Sequence, residues 1–466
     1  MSFDDIFSST RRRELLLAVG SGSLLASAGC SSIGTGAEPA IGAPEECLLD
    51  EQLNLRISGL DAGTEVSLRA AYRPSSDAPL FRFSSRGQFE SYATFEADEN
   101  GAVDVTEMAP VGGTYDGVRP MGLIWSMRPR EHISEANRAP ELDEPSESGI
   151  VETVVTAFVD GDQVASTRIR RRADSPGIEQ VEPPTDIVGR CYLPESDGPH
   201  PGVLVLHGGG DGTWMDREGK QLASHGFAAF VLRYTGPYGP IPTKPRRVPL
   251  EYFDSAIEWF TGLRAVSSDA IGTIGWSLGG QLSLLLGARR DDVGAVVCYN
   301  GPSYVMGFDS FGTSPWSVDG EPVPYIEVEF DAGQQRTTDG QQALHTTPAH
   351  ETALAAADEK TRERTKISVE RISGPVLYVA GGDDAVLPAA QSGREVVERL
   401  DSHDHPYDYK MLVYENAGHS VRFPYAPTQH RIVLGDRALG GTASGIARAE
   451  ANSWPTVLSY LQDGLE

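Results

Sequence analysis

Apolar and polar residues alternate along the first part of the chain, between residues 46 and 173. The alternation is clearest in residues 65–72, and it returns in residues 151–159 and 164–169 on either side of the polar turn 160–162. Successive side chains of a strand point to opposite faces of the sheet, so a pattern that repeats every two residues indicates a strand with one buried face. Short polar turns between such runs favour hairpins. We therefore predict an all-β sandwich of immunoglobulin type for residues 46–173.

From residue 201 the pattern changes to short aliphatic runs that alternate with helical patterns. The aliphatic runs are residues 203–206, 228–232, 271–275, 295–299, 376–380 and 409–414, and the helical patterns are residues 216–225, 250–263, 281–288, 388–400 and 442–461. Apolar strands separated by helices indicate a mostly parallel sheet with helices on both faces. Residues 174–464 are thus predicted to form an α/β-hydrolase domain, in which the long irregular insert 303–373 forms a cap over the site.

The first 30 residues have the pattern of an export signal. Arg11, Arg12 and Arg13 precede a mildly apolar stretch that is too short and too rich in Gly and Ser for a stable membrane span. The stretch ends at Cys30, in a segment that partly matches a lipoprotein box. We expect twin-arginine export, lipidation of Cys30 and a flexible tether over residues 31–45. If residues 1–30 are not such a signal, the protein stays in the cytoplasm.

The charge composition limits the kinds of molecule that we expect the protein to bind. The net charge is −27, and only five of the 39 Lys and Arg residues are Lys. Abundant carboxylates with little lysine are typical of proteins from salt-rich, haloarchaeal-type cells, where salt screens self-repulsion. A nucleic-acid partner is not expected, because the chain has no basic surface, and the membrane is expected as a partner only through the lipid anchor. The charge pattern says nothing about the oligomeric state.

The four cysteines follow no disulfide or metal-ligand spacing. Cys298 lies in an apolar run and is interpreted as a buried hydrophobic residue. A disulfide between Cys47 and Cys191 is compatible with the sequence but is not indicated by it. No histidine pair has a third ligand at a metal-binding spacing, so we expect neither a metal nor another cofactor.

The clearest chemical signal is the G-x-S-x-G sequence from Gly275 to Gly279, with Ser277 at its centre. An apolar strand pattern precedes it and a Leu-rich helical pattern follows, which is the context that a nucleophile elbow requires. A tight strand-to-helix turn leaves no room for side chains two residues from the serine, and glycine removes them. Ser277 is therefore the candidate nucleophile, at a helix N-terminus that favours developing negative charge.

A serine nucleophile needs a histidine base, and the histidine needs a carboxylate, in the chain order Ser, Asp or Glu, His. His419 follows the last predicted strand, and Asp383 and Asp384 follow the strand before it. Asp384 is preferred because Pro388 stands four residues later, as is usual for this turn, but Asp383 stays a competitor. The oxyanion hole is assigned to the backbone N–H groups of Leu278 and Gly209.

With these residues in place, the chain resembles the acyl-CoA thioesterases that are grouped with bile acid-CoA:amino acid N-acyltransferase. The resemblance covers roughly residues 46–464. The segments that carry it are residues 112–125, 250–256 and 275–280, Asn300-Gly301, Asp383-Asp384, Ala417-Gly418-His419 and Pro424-Tyr425. It implies an immunoglobulin-like first domain, a Ser277–Asp384–His419 triad and cleavage of a thioester through an acyl-enzyme. It also implies hydrolysis rather than N-acyl transfer, since the transferase branch uses cysteine as its nucleophile.

The sequence therefore predicts a serine hydrolase that cleaves a small-molecule acyl thioester through an acyl-enzyme on Ser277. An exported lipoprotein would not meet cytosolic acyl-CoA, so an esterase of the carboxylesterase or dienelactone-hydrolase kind, acting on extracellular esters, is the alternative. A surface binding lipoprotein without catalysis is the alternative of another class. The acyl group and its length stay open, because residues 303–373 show little that can be aligned.

Overall fold

A computed structural model describes residues 38–75, 87–308, 312–330 and 333–465 of the 466-residue chain. The predicted export signal, the lipidation site Cys30 and residues 31–37 of the predicted tether lie outside these residues. The described residues form one compact unit.

The first region is built from short strands and one short helix. They are β1 (Ala40–Gly42), β2 (Glu46–Leu48), β3 (Arg56–Ser58), β4 (Glu65–Tyr72), β5 (Phe89–Glu96), β6 (Val103–Asp104), β7 (Gly112–Gly113), α1 (Gly122–Trp125), β8 (Arg128–Pro129), β9 (Ile150–Val159) and β10 (Asp162–Arg172). Strand β4 has the bounds that the alternation predicts, and its apolar residues Val66 and Leu68 are buried while Glu65 is exposed.

These strands form two sheets. One has the order β1-β3-β6, and the other has the order β2-β10-β9-β4-β5-β7 with β8 also paired to β5. All neighbours are antiparallel except β2 and β10, which are parallel. The two sheets share one buried core. The immunoglobulin type of this region, and its standing as a separate domain, stay predictions.

The predicted tether is wrong at its C-terminal end. Residues 40–42 form strand β1, which pairs with β3 through Ile41 and Ile57. Ile41 packs against the core. This single apolar side chain anchors a segment whose content of Gly, Ala and Pro is otherwise typical of a linker. The folded chain thus includes residues that composition alone assigns to the tether.

The second region continues the numbering. Its elements up to residue 300 are β11 (Glu179–Val181), β12 (Val188–Leu193), β13 (His200–Leu206), α2 (Asp216–Ser224), β14 (Ala228–Arg233), β15 (Val248–Pro249), α3 (Leu250–Thr261), β16 (Val266–Trp276), α4 (Leu278–Arg289) and β17 (Val293–Tyr299). The insert contains β18 (Met306–Phe308), β19 (Trp316–Val318), β20 (Glu321–Pro322), β21 (Ile326–Val328), β22 (Gln334–Thr338), β23 (Gln341–His345), α5 (Thr347–Ala356) and α6 (Glu359–Thr365). The last elements are β24 (Val376–Gly381), α7 (Ala389–Ser402), β25 (Tyr409–Tyr414), β26 (Val433–Leu434), β27 (Arg437–Ala438) and α8 (Ala443–Leu465).

Eight of these strands form one sheet in the order β11-β12-β14-β13-β16-β17-β24-β25. β11, β12 and β14 pair antiparallel, and every pair from β14 to β25 is parallel. The order reverses once, at β14 and β13, as in the predicted α/β-hydrolase domain.

Both faces of this sheet are covered, as continuous apolar strands require. On β13, Val203 and Val205 belong to a core with α2 and α8, while Leu204 and Leu206 belong to a second core with α3, α4 and α7. The first of these cores also contains most of the buried apolar residues of β4, β5 and β9. The strand-rich region therefore packs on one face of the large sheet and shares its apolar interior.

The insert lies between β17 and β24, two neighbours in the large sheet. Its strand β23 pairs with β27, which follows His419 in the chain. Gln281 on α4 ties it to the elbow helix: the side-chain amide donates to the Tyr304 carbonyl (3.0 Å) and its oxygen accepts from the Trp316 indole (2.7 Å).

The disulfide that the sequence leaves open is not formed. Cys47, Cys191 and Cys298 are all free thiols, and the latter two are buried. Burial raises the pKa of the Cys298 thiol well above its usual range, which is consistent with its interpretation as a packing residue. Within the described ranges, no helix is long and apolar enough to cross a membrane.

Candidate active site

Ser277 stands between the end of β16 and the start of α4, as the elbow pattern predicts. Its φ of 57° and ψ of −118° are a strained conformation for a residue with a side chain. The Ser277 N–H donates to the Tyr299 carbonyl on β17 (2.8 Å), which ties the turn to the neighbouring strand. The serine is half-buried and lines a cavity.

The glycines around Ser277 are required by backbone contacts. A Cβ on Gly275 would collide with the Gly279 carbonyl, and one on Gly279 would collide with the carbonyls of Leu206 and His207. A Cβ on Gly280 would lie 3.0 Å from both the Cys298 sulfur and the Tyr299 oxygen. Since backbone cannot move aside as a flexible side chain can, the elbow fits only with glycine before and after the serine.

Asp384 and His419 meet at the carboxyl ends of the last two strands. The His419 Nδ1 lies 2.7 Å from the Asp384 Oδ2. The second carboxylate oxygen accepts from the N–H groups of Val386 (2.8 Å) and Leu387 (3.1 Å), so both oxygens are occupied. The aspartate side chain is 2% exposed and the histidine side chain 13%. This arrangement holds the imidazole by Nδ1 and leaves Nε2 for another group.

Asp383 is placed differently from its neighbour. It is exposed, and its carboxylate accepts from the Gly441 N–H at 3.1 Å. Of the two adjacent aspartates, the structure brings Asp384 to His419 and uses Asp383 to fix the loop that follows β27.

Asn300 is a site residue whose role sequence reasoning did not identify. It follows β17 with a φ of 47°, its side-chain N–H donates to the His419 carbonyl (3.1 Å), and its side-chain oxygen accepts from the Gly381 N–H (2.8 Å). One amide thus ties together the ends of the strands that precede the aspartate and the histidine. The only signal for it was the Asn300-Gly301 pair after an apolar run.

Ser277 and His419 line the same cavity of about 470 Å³. Apolar side chains of the insert and of the segments around Asp384 and β27 form much of its wall: Pro302, Met306, Phe308, Phe330, Val386, Leu387, Leu434 and Leu439. The volume and the lining are those of a small-molecule site. The insert predicted as a cap supplies part of this wall.

Both residues assigned to the oxyanion hole also line the cavity. Leu278 is the first residue of α4, and Gly209 lies in the loop after β13. Its neighbour Gly208 packs closer to the elbow, since a Cβ there would lie 3.2 Å from the Ser277 Cβ. His207, at the start of the same loop, is buried and stacked on Tyr234 at 4.0 Å between ring centroids.

The charges at the cavity contrast with those of the whole chain. Among the described residues that line it, three are cationic (Lys244, Arg422 and Arg437) and none carries a carboxylate. Arg422 lies over the Trp214 ring (4.6 Å) and Arg437 over the Phe330 ring (4.9 Å). Lys244 and Arg437 are exposed, so positive charge collects at the mouth of a cavity in a protein of net charge −27.

No group of three or more His, Cys, Asp or Glu side chains that could hold a metal ion occurs in the part of the chain that the structure describes.

Sequence comparison identifies relatives along nearly the whole chain. The family described as "Acyl-CoA thioester hydrolase/BAAT N-terminal region" matches residues 50–183, and "BAAT / Acyl-CoA thioester hydrolase C terminal" matches residues 248–466. Acyl-coenzyme A amino acid N-acyltransferase 2 of Mus musculus is 27% identical over 446 residues, covering 91% of this chain and 97% of its own. Mitochondrial acyl-coenzyme A thioesterase 2 of Rattus norvegicus is 28% identical over 425 residues, covering 89% and 87%.

Solved structures are more distant. An acylaminoacyl peptidase from Pyrococcus horikoshii aligns with a TM-score of 0.40 at 12% identity, covering 89% of this chain and 86% of its own. A dienelactone hydrolase from Klebsiella pneumoniae aligns with a TM-score of 0.38 at 15% identity, covering 61% and 98%.

Proposed function

We propose, from the premise that this chain belongs to the acyl-CoA thioester hydrolase/BAAT family, that it hydrolyses acyl thioesters through an acyl-enzyme on Ser277. The observation that carries the proposal is the 2.7 Å contact between His419 and Asp384 beside a cavity that Ser277 also lines. Relatives named as acyl-CoA thioesterases and as N-acyltransferases both act by transferring an acyl group, and they differ in the acceptor.

In the proposed reaction, the His419 Nε2 takes the proton of the Ser277 hydroxyl as its oxygen attacks the thioester carbonyl. Asp384 fixes the imidazole tautomer and stabilises the imidazolium that forms. The N–H groups of Leu278 and Gly209 stabilise the negative charge on the carbonyl oxygen. The C–S bond then breaks, the leaving thiolate takes the proton that His419 holds, and the acyl group is bound to Ser277 as an oxygen ester.

The second half of the reaction regenerates the free enzyme. A water molecule gives a proton to His419 and attacks the ester carbonyl, and the Ser277 oxygen leaves and regains that proton. The product is a carboxylic acid. Serine at this position favours hydrolysis, because water attacks an oxygen ester readily enough for turnover.

The cationic mouth supports a thioester whose leaving group is anionic. The exposed Lys244 and Arg437 suit phosphate groups such as those of coenzyme A, and the absence of carboxylates among the described lining residues removes repulsion. A neutral oxygen ester gains nothing from these charges. This difference favours the thioesterase over the carboxylesterase alternative.

The test compares acyl-CoA thioesters with p-nitrophenyl esters in parallel, in buffers of high salt. We expect acyl-CoA hydrolysis that falls at least about 10³-fold in Ser277→Ala and is unchanged in Ser255→Ala, whose exposed serine lies on α3 and contacts the Glu251 carbonyl. Hydrolysis of the oxygen esters alone would support the esterase alternative. Activity that survives Ser277→Ala would remove the mechanism, and absence of fluorophosphonate labelling would support the binding lipoprotein.

Export, lipidation of Cys30 and adaptation to high salt remain part of the proposal. Mass spectrometry of the mature N-terminus tests the first two. Cleavage of the signal before Cys30 removes residues 1–29, and the lipid adds a defined mass to Cys30. An intact N-terminus would place the protein in the cytoplasm, where acyl-CoA is available.

A further inference from the structure

His350, on α5 of the insert, lines the cavity but has no step in the proposed reaction. It is 1% exposed, and its Nδ1 lies 3.0 Å from the Thr346 carbonyl oxygen. A carbonyl only accepts hydrogen bonds, so Nδ1 carries the proton and Nε2 is the acceptor nitrogen of a neutral ring. Among the described residues, none donates a hydrogen bond to Nε2.

The surroundings keep this imidazole neutral. Burial lowers its pKa most, and the nearby His419 lowers it further, while the Thr346 carbonyl and Asp384 act in the opposite direction. A neutral imidazole presents a lone pair at Nε2, which can accept a hydrogen bond from a ligand in the cavity.

His350 places that acceptor in an apolar part of the cavity wall. Phe308 meets the imidazole edge to face at 5.7 Å and stacks on Phe330 at 4.4 Å, and Met306 lines the same wall. The exposed Lys244 and Arg437 mark the mouth, where a charged leaving group belongs. An apolar wall with one acceptor suits an apolar chain that carries one hydroxyl.

We propose that the His350 Nε2 accepts a hydrogen bond from a hydroxyl group on the acyl chain, so that the enzyme selects hydroxyacyl thioesters over unsubstituted ones. This inference rests on the proposed function and specifies its substrate class. His350 is a specificity-determining residue in this account, because it contacts a substituent of the acyl chain and takes no part in the proton transfers.

The experiment measures kcat/KM for CoA thioesters of one chain length, unsubstituted or with the hydroxyl at carbon 2, at carbon 3 or at the chain end. We expect one hydroxylated isomer to exceed the unsubstituted thioester by roughly 3- to 10-fold, the effect of one neutral hydrogen bond. His350→Phe keeps an aromatic ring but removes the acceptor, and it should bring that ratio to about one.

The matched control is His345→Phe, since His345 is on the same insert but is bound to Thr338 and does not line the cavity. It should keep the wild-type ratio. If no isomer is preferred by the wild type, or if His350→Phe lowers all thioesters equally, the proposal is overturned.

A second readout keeps His350 in place. In a Ser277→Ala protein labelled with ¹⁵N-histidine, the preferred hydroxyacyl-CoA should shift the Nε2 resonance of His350, and the unsubstituted thioester should not. Equal shifts with both would contradict the proposal. Ser277-dependent hydrolysis without hydroxyl selectivity would refute this inference alone, whereas the absence of any Ser277-dependent hydrolysis would refute the proposed function.

Discussion

At the scale of single residues, the site depends on which of two adjacent aspartates contacts the histidine. Asp384 is buried and contacts His419, and Asp383 is exposed and contacts Gly441. The two side chains are chemically identical, so only their place in the turn distinguishes their effects.

We expect Asp384→Asn to lower kcat by about 10³- to 10⁴-fold, because an amide cannot stabilise the imidazolium and favours the wrong tautomer. Asp383→Asn is the matched control and should change kcat less than about 3-fold. Steady-state kinetics with an acyl-CoA thioester measures both variants. Equal losses in both would contradict the assignment of Asp384.

His430 provides a residue-scale prediction for stability. Burial, together with Arg431, lowers its pKa from 6.5 to about 3, while an unfolded chain protonates it near pH 6.5. The unfolded state therefore binds the additional proton between pH 6.5 and 3, and stability contributed by the neutral ring is lost as the pH falls through this window.

Denaturant unfolding of the wild type and of His430→Gln at pH 6.5 and pH 5 measures this effect. The wild type should lose ~2 kcal/mol more than the variant, at about 1.4 kcal/mol for each pH unit. An identical pH dependence of the two proteins would show that His430 is protonated as easily in the folded state as in the unfolded state.

At the scale of elements, the insert fixes the turn that carries Asp384 and also forms part of the cavity wall. The Thr347 hydroxyl at the start of α5 donates to the Asp384 carbonyl (2.8 Å), and the Thr346 hydroxyl donates to the Val386 carbonyl (2.6 Å). The Thr346 N–H also donates to the Ala385 carbonyl (2.8 Å). Displacement of α5 would thus displace the carboxylate that orients His419.

Thr347→Val removes one of these bonds while keeping the side-chain shape, and we expect kcat to fall by about 3- to 10-fold with little change in KM. Thr352→Val is the control, because its exposed hydroxyl on the same helix contacts only the Pro348 carbonyl. Stopped-flow or steady-state assays separate kcat from KM. A change in KM alone would mean that α5 shapes the cavity without positioning Asp384.

The sequence predicts the elements that have a strong period and misses those that depend on distant contacts. Residues 65–72 and 278–289 are recognisable because burial on one face, or a nucleophile elbow, imposes a local pattern. The insert strands have no such pattern, since β23 pairs with β27 more than 90 residues later. Asn300 and His350 were missed for the same reason: their partners at Gly381, His419 and Phe308 come together only in the fold.

At the scale of the whole molecule, the strand-rich region and the large sheet share a continuous apolar core. Polar contacts also join them, including the Thr428 N–H to the Trp125 carbonyl (3.0 Å) and the Trp454 indole to the Asp50 carboxylate (2.7 Å). The two regions should therefore support each other's stability.

The net charge of −27 gives a prediction for this scale. Repulsion among surface carboxylates opposes the compact state, and salt screens it. We expect the melting temperature to rise by roughly 10 °C between about 0.1 and 2 M KCl, as measured by circular dichroism. A constant or falling melting temperature would contradict adaptation to high salt.

The most direct test of the central claim is intact-mass and peptide mass spectrometry after rapid acid quench of the enzyme with an acyl-CoA thioester. The account predicts a transient mass increase equal to the acyl group less one hydrogen, located on Ser277 and lost with time as the free acid forms. Turnover of the thioester with no acylated Ser277 at any quench time, or with the acyl group on another residue, would contradict it.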